Sequence, residues 1–243
     1  MMKNLNIDFD TKNIVGIIGA MDEEIQILKD KMELKKTYMA ANMEFYYGRL
    51  AEKNIVLVRC GIGKVNAAAC TQVLITKFNA EYIINIGVAG AIFDGLEIGD
   101  IVISEDVVEH DFDVTSFGYK LGEIPRLETY KFKGNRMLID IAKKISEEEV
   151  LDHNIFVGRI LSGDEFVASA NKKDMLWKEF EGYCVEMEGA AIGHTCHINN
   201  VPFVILRAMS DKADGSADVN FNDFVDMAAR NSADIVEKML KEI

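Results

Sequence analysis

Three carboxylates stand just beyond apolar runs of the sequence, where their side chains could take part in acid–base chemistry. Glu24 follows the run that begins at Ile14, Glu188 follows an apolar stretch at Val185, and Asp211 follows a third run. In an open α/β sheet, ligands bind at the edge formed by the carboxyl ends of the strands. If the runs are strands of a parallel or mixed sheet, the three carboxylates converge on one edge. Such a group could exchange protons with a polar small molecule.

Two acidic residues, Glu186 and Glu188, are two positions apart in an otherwise apolar stretch. In an extended segment this spacing puts both side chains on one face. Burial of an unpaired carboxylate costs on the order of several kcal/mol, so a ligand hydroxyl or a cation is a natural partner. Ordinary structural roles are the alternative: Glu24 stands in a first helical turn, where carboxylates favour the helix dipole, and Asp211 could pair with Arg207.

Two glycine-rich segments and a histidine pair carry weaker signals. Gly61–Lys64 and Gly87–Gly90 each follow an apolar run and are predicted to be tight turns that a ligand can approach closely. Neither is a nucleotide-binding fingerprint, because Val58 replaces the earlier glycine of a P-loop and neither segment spells GxGxxG. His194 and His197 have no third ligand at helical spacing, so a helix face is predicted there. The prediction is therefore no metal and no cofactor.

The composition is that of a globular protein with a negative surface. Of 243 residues, 49% are hydrophobic and 28% charged, which suffices for a packed core and argues against a disordered or coiled-coil chain. The net charge of −13 repels phosphate backbones and anionic lipids, so neither nucleic acid nor membrane is an expected partner. No apolar run reaches the roughly 18 residues of a membrane span. The four cysteines lack CxxC spacing and are predicted to be buried thiols, which favours a cytoplasmic protein.

Six runs rich in Ile and Val are predicted to be buried strands, because most are continuously apolar where a half-exposed strand would alternate. Helical periodicity is clearest over 137–145 and 224–239, and strands that alternate with helices indicate an α/β fold. No linker divides the chain, so a single domain is predicted over 14–243, after an N-terminal extension over 1–13. The six runs cover residues 14–20, 54–60, 82–93, 100–108, 155–162 and 201–209.

The segment Glu109–Lys133 shows neither period and is rich in Gly, Tyr, Phe and Asp. Long segments of this kind inside a domain are often binding loops or interface arms. A disordered insert is the alternative, and the aromatic residues make it the less favoured one.

Six motifs occur in order along the chain: Gly16–Glu24, Gly61–Val65, His110–Tyr119, Ser162–Asp164, Val185–Glu188 and Arg207–Asp211. Together they resemble the bacterial 5'-methylthioadenosine/S-adenosylhomocysteine nucleosidases, from about Ile14 to the C-terminus. The resemblance implies a nucleoside phosphorylase-like fold, a three-layer α/β/α sandwich with a central mixed, twisted sheet, and a homodimer. It also implies hydrolysis of the N-glycosidic bond of both named nucleosides, and of 5'-deoxyadenosine, in methionine salvage and the recycling of S-adenosylmethionine by-products.

The resemblance implies a role for each polar residue. Asp211 would donate a proton toward N7 of adenine, and Ser210 would support it. Glu24 would position and deprotonate the attacking water with help from Arg207, and Glu188 would hold the ribose 2'- and 3'-hydroxyls.

The resemblance also implies a largely apolar surface around the substrate. Phe166 would stack on the purine and the backbone of Val167 would bind its edge, with Met21 and Met187 beside the ribose. The pocket for the 5'-thio substituent would be formed by Ile62, Phe221 and, from the partner subunit, Val114, Phe117 and Pro125. The remaining substrate-binding residues would be Ala20, Ala89 and Gly90.

One position departs from the pattern of the family: Val88 stands where many relatives have a serine that helps to position the water. Three alternatives stay open, namely a phosphorylase on the same fold, a hydrolase of another purine nucleoside, and a nucleoside sensor without activity. Phosphate binding favours Arg or several N–H donors, and no Arg flanks Gly87–Gly90, while Glu24 would repel an anion. The presence of all three carboxylates favours catalysis over sensing.

Overall fold

In the computed structural model, which describes residues 13–148 and 153–243, a mixed β-sheet lies between layers of helices. The strands are β1 Ile14–Gly19, β2 Glu33–Ala40, β3 Met43–Leu50, β4 Lys53–Arg59, β5 Ala80–Ala91, β6 Ile101–Glu109, β7 Phe132–Lys133, β8 Ile155–Ser162, β9 Cys184–Glu186 and β10 Phe203–Asp211. The helices are α1 Asp22–Lys31, α2 Lys64–Phe78, α3 Arg136–Glu148, α4 Ala170–Phe180, α5 Gly189–Asn199 and α6 Ala217–Glu242. Except for its last residue, the predicted N-terminal extension lies outside the described residues.

The central strands are largely apolar because both faces of the sheet are covered. In β1, Ile14 and Ile18 pack into one hydrophobic cluster with α2 and α5, whereas Val15 and Ile17 pack into a second cluster with α1, α3 and α6. Side chains alternate between the faces of a strand, so a strand buried on both faces forms a nearly continuous apolar run. The predicted three-layer α/β/α class with a mixed sheet is therefore confirmed.

Parallel pairing brings the ends of four strands to one edge of the sheet. Strand β1 pairs in parallel with β4 and β5, and β5 pairs in parallel with β10. Their carboxyl ends therefore lie side by side, and the segments that follow β1, β4 and β10 begin at the same edge. Strand β10 has a register shift between Met209 and Asp211, and such irregularities re-aim side chains at the end of a strand.

The structure corrects the prediction for Gly87–Gly90. These residues do not form a turn but lie inside β5, whose burial continues to Ala91. Small residues are needed within the strand here because a side chain at Gly87 would overlap Arg207 and Glu24. The other segment, Gly61–Lys64, does contain a turn, with positive φ at Gly61 and Gly63 before α2.

All six predicted strands are present with ends shifted by up to two residues, and both predicted helices lie within α3 and α6. Strands β2 and β3 were not predicted, because β2 is an exposed edge strand without an apolar run. The turns on either side of β3 have positive φ at Ala41–Asn42 and at Ala51–Glu52, conformations that sequence normally signals with glycine. Sequence patterns therefore gave no sign of this antiparallel extension of the sheet.

The segment between β6 and β7 has little regular structure, as predicted, apart from a short 3-10 helix at Thr115–Phe117. All four cysteines are buried thiols, also as predicted. Among the described residues, none of the helices combines the length and the apolar character needed to cross a membrane.

Candidate active site

A cavity of about 440 Å³ opens at the edge of the sheet where the parallel strands end. Glu24, Glu188 and Asp211, which are far apart in the sequence, all line it. Nine further residues predicted to bind substrate also line this cavity: Ala20, Met21, Ile62, Ala89, Gly90, Phe166, Met187, Ser210 and Phe221. The convergence that the strand ends predicted is therefore present in the structure.

Glu24 is the third residue of α1, and its buried carboxylate folds back over the first turn of that helix. Its Oε2 accepts hydrogen bonds from the N–H groups of Ala20 at 2.5 Å and Met21 at 3.0 Å, and its Oε1 accepts one from Val88 N–H at 3.1 Å. Nη1 of Arg207 lies 3.7 Å from Oε1. Burial raises the pKa of Glu24, and the nearby guanidinium and N–H donors only partly oppose this. A carboxylate with a raised pKa is a stronger base, which suits deprotonation of a bound water.

Asp211 ends β10, directly after the register shift. Its Oδ2 accepts a hydrogen bond from the Ser210 hydroxyl at 2.9 Å, and its Oδ1 accepts one from Ala213 N–H at 2.8 Å. A Cβ on Gly90 would lie 2.7 Å from Oδ1, so a glycine lets the neighbouring strand approach closely. Burial raises the pKa of Asp211 despite these two donors, which favours the protonated form that an acid catalyst needs.

Glu188 is the residue that precedes α5, and its carboxylate spans two elements. Its Oε1 accepts a hydrogen bond from Gly63 N–H at 2.8 Å, while its Oε2 lies 3.5 Å from Nη2 of Arg207. Burial, followed by the charge of Glu186, raises the pKa of Glu188 to about 8. A buried carboxyl group with few protein donors is suited to bind the hydroxyls of a ligand.

Glu186 also belongs to the site, although its sequence position beside Glu188 does not by itself assign it a role there. It ends β9, lines the cavity and hydrogen-bonds to the guanidinium of Arg207. Arg207 itself is 1% exposed and lies behind the lining rather than in it. It occupies the centre of the carboxylate cluster, where a cation was predicted as a partner. The signal available in the sequence was the spacing of Glu186 and Glu188, which could not show which carboxylate faces the cation.

The remaining predicted residues lie in different places. Val167 does not line the main cavity but an adjoining cavity of about 30 Å³. Val114, Phe117 and Pro125 do not line either cavity of this chain, and Phe117 is 81% exposed. Their assignment to a partner subunit stays a prediction. Val88 lines the cavity, and its backbone N–H donates a hydrogen bond to the Glu24 carboxylate.

The mouth of the cavity is apolar and aromatic. Phe166 and Phe221 meet edge to face with ring centroids 6.1 Å apart, and Ile62 stands near them on the lining. Phe166 is 49% exposed and Ile62 is 54% exposed. Large exposed apolar side chains grouped at a cavity mouth mark a surface that binds a ligand or a partner chain.

The histidine pair lies on a helix face, as predicted. His194 and His197 both belong to α5, and Nδ1 of His194 lies 2.9 Å from Oε1 of Glu109. The ring of His194 also stacks on Phe132 at a centroid distance of 4.4 Å. No group of three or more His, Cys, Asp or Glu side chains within the described ranges is arranged to hold a metal ion.

Comparisons with known proteins identify the family. Residues 14–241 match the phosphorylase superfamily. A 5'-methylthioadenosine/S-adenosylhomocysteine nucleosidase of Staphylococcus haemolyticus is 45% identical over 229 residues, which are 94% of this chain and 99% of that protein. The chain belongs to this nucleosidase family within the phosphorylase superfamily. The resemblance inferred from the motifs is thus confirmed.

Solved structures of nucleosidases have the same fold as this chain, and so does a protein with a different name. The nucleosidase of Neisseria meningitidis, in complex with methylthio-immucillin-A, has a TM-score of 0.91 and 43% identity, over 95% of this chain and all of that one. The futalosine hydrolase of Helicobacter pylori has a TM-score of 0.90 at 32% identity, over 95% of this chain and 98% of that one. The same fold therefore occurs in a protein named as a futalosine hydrolase.

Proposed function

We propose that this protein hydrolyses the N-glycosidic bond of 5'-methylthioadenosine and S-adenosylhomocysteine, and also of 5'-deoxyadenosine. The products are adenine and a 5-thio-substituted ribose from the two thioethers, or 5-deoxyribose from 5'-deoxyadenosine. The observation that carries the proposal is the meeting of Glu24, Glu188 and Asp211 on one cavity with an apolar, aromatic mouth. The identity of the nucleosidase relatives, 45% and 43% over almost the whole chain, supports the same substrates.

The reaction needs a proton donor at the base and carboxylates near the sugar. As the bond between C1' and N9 breaks, its electron pair moves to the purine and positive charge develops on the ribose. Asp211 donates its proton toward N7, which makes adenine a better leaving group. Glu24 accepts a proton from water as the water oxygen forms a bond to C1'. Glu188 holds the ribose 2'- and 3'-hydroxyls by hydrogen bonds.

The charges at the cavity favour water over phosphate as the nucleophile. The residues that line it in the described part of the chain include neither lysine nor arginine. Arg207 lies behind them and is already surrounded by Glu24, Glu186 and Glu188. A phosphate dianion would have to approach these carboxylates without a free cation to bind it. Hydrolysis is therefore better supported than phosphorolysis.

The deciding experiment is adenine release from 5'-methylthioadenosine by the purified protein, with and without phosphate, and identification of the sugar. We expect free 5-methylthioribose and no phosphate requirement. A sugar 1-phosphate that forms only with phosphate would make the protein a phosphorylase. Tight nucleoside binding without turnover would make it a sensor. Futalosine in a parallel assay separates this function from that of the Helicobacter relative, and faster futalosine turnover would overturn the proposed substrate class.

We also propose that a second copy of this chain completes the pocket with Val114, Phe117 and Pro125. The support is the exposed apolar ring of Phe117 together with the apolar mouth of the cavity. We expect a dimer in solution, and we expect Phe117→Asp to raise KM for 5'-methylthioadenosine about tenfold, since lost apolar contact of about 1.4 kcal/mol has this effect. Leu34→Asp, at an exposed position on edge strand β2, is the matched control. A wild-type KM in Phe117→Asp would refute the partner contribution.

A further inference from the structure

Arg207 lies behind the cavity at the centre of a buried charge cluster whose three carboxylates line the cavity. Its Nη1 lies 3.7 Å from Oε1 of Glu24, and its Nη2 lies 3.5 Å from Oε2 of Glu188 and hydrogen-bonds to Oε2 of Glu186. Asn85 accepts a further hydrogen bond from Nη2 at 2.7 Å through its side-chain oxygen. One positive charge thus lies beside three carboxylates. If all three were ionised, two negative charges would be buried without compensation, which is unfavourable.

The hydrogen bonds of Glu186 show which carboxylate takes the positive charge. Its two oxygens accept from Arg207, from the Ser162 hydroxyl, from Glu188 N–H at 3.0 Å, and from Gly189 N–H at 3.0 and 2.8 Å. The three contacts from backbone N–H groups and the one from the guanidinium come from groups that can only donate, so the surroundings of Glu186 favour a carboxylate, although the Ser162 hydroxyl can donate or accept. Glu186 is therefore the ionised partner of Arg207.

Glu24 and Glu188 accept fewer hydrogen bonds than Glu186 and interact more weakly with the guanidinium. Glu24 and Glu188 lie farther from Arg207 than Glu186 does. Their contacts with the guanidinium, at 3.7 and 3.5 Å, are ion pairs without a hydrogen bond. The pKa of Glu24 is raised and that of Glu188 is raised to about 8, mainly by burial. Both directions agree with a cluster in which the cation is already neutralised.

We propose that Glu186 is a positioning residue for the hydrolysis, because it binds Arg207 and so prevents the guanidinium from neutralising Glu24. Glu24 then keeps enough basicity to take a proton from the attacking water. This inference rests on the proposed function, since it assigns to Glu24 the role of base. Besides the carboxylates and Arg207, the ionisable groups near the cluster are the thiols of Cys60, at the end of β4, and Cys184 in β9. Burial raises the pKa of both thiols, so they stay neutral.

Removal of the negative charge at Glu186 tests the inference. In Glu186→Gln the guanidinium charge acts more strongly on Glu24, so the acid limb of the kcat/KM profile, which reports the base of the free enzyme, should move down by about one pH unit or more. The plateau should fall by about three- to tenfold because the base is weaker. Ser162→Ala, which removes a donor but no charge, should leave the limb in place. Glu33→Gln, at an exposed position of β2, is the matched control for the substitution itself.

Asn85→Asp provides a second variant with the opposite sign. It adds a carboxylate beside the same guanidinium nitrogen, in place of an amide that donates to the carbonyl oxygens of Ile18 at 2.8 Å and Ile86 at 3.2 Å. In the folded variant the acid limb should therefore move to higher pH. Each variant is first checked for cooperative melting by circular dichroism, and if Glu186→Gln does not fold, Asn85→Asp decides. An acid limb at the wild-type position in the folded variant, or an equal shift in Ser162→Ala, would overturn the role of Glu186. Absence of adenine release by the wild-type protein would instead overturn the proposed function.

Discussion

Replacement of Asp211 by asparagine separates proton donation from every other contribution of that side chain. Asparagine has nearly the same shape, and its oxygen can still accept the hydrogen bond from Ala213 N–H. Its NH₂ group can donate to the Ser210 hydroxyl, whose own proton can turn toward the Ala89 carbonyl oxygen, 3.4 Å away. Folding and substrate binding should therefore be largely preserved in Asp211→Asn, while the acidic proton is lost.

The expected loss follows from what the site must do to keep Asp211 protonated. Holding a proton at pH 7 on a carboxyl of ordinary pKa, about 3.9, costs roughly 4 kcal/mol at 1.36 kcal/mol per unit. Burial of Asp211, which is 2% exposed, offsets this cost by raising the pKa. General acid catalysis contributes about two to four decades in rate, or about 3 to 5 kcal/mol. We expect kcat of Asp211→Asn to fall by this factor with KM little changed.

The assay is steady-state adenine release from 5'-methylthioadenosine as a function of pH. The acid must be protonated to act, so wild-type activity should fall as the pH rises through the raised pKa of Asp211, and the variant should lack this fall. Asp226→Asn is the control, since Asp226 is exposed on α6 and lies outside the cavity lining, and its kcat should be unchanged. A wild-type kcat in Asp211→Asn would show that the proton comes from elsewhere.

Three further outcomes are expected. Glu188→Gln should raise KM for nucleosides by about tenfold but leave inhibition by free adenine unchanged, because only the ribose contact is weakened; equal losses for both ligands would exclude a ribose role. The ligand-free protein should lose up to a few kcal/mol of stability between pH 5 and 8, because the folded state binds the Glu188 proton with a pKa of about 8 and the unfolded state with one near 4.5. Thermal melting should show this fall, and a melting temperature equally pH-dependent in Glu188→Gln would contradict it. Gly87→Ala should lower kcat/KM by about a hundredfold, since a Cβ there would overlap Arg207 Nη1 and Glu24 Oε1. Gly215→Ala, with open space around it, is the control, and equal activities of the two variants would refute the steric explanation.

The amino-acid sequence by itself was sufficient for the fold class and for the family. A strand covered on both faces leaves an apolar run that is visible without coordinates, as at Ile14–Gly19. The position of Glu24 and Asp211 beyond such runs was also enough to predict that they meet, because parallel strands end at the same edge. The sequence reveals buried strands and their ends because burial imposes the same apolar requirement on most residues of a strand.

Only the tertiary structure decided how the charges are shared. Glu186 and Glu188 look alike in the sequence, yet one receives hydrogen bonds from Arg207 and Ser162 while the other accepts a single hydrogen bond from the turn at Gly63. That difference depends on three strands and a loop that are distant in the chain, and no local period encodes it. A long-range contact also explains why the prediction of a turn at Gly87–Gly90 was wrong. Glycine is needed at Gly87 because Arg207 on the neighbouring strand leaves no room for a Cβ, and not because the backbone of β5 turns there. Electrostatics and close packing act through space, so their outcome is fixed only when the chain has folded.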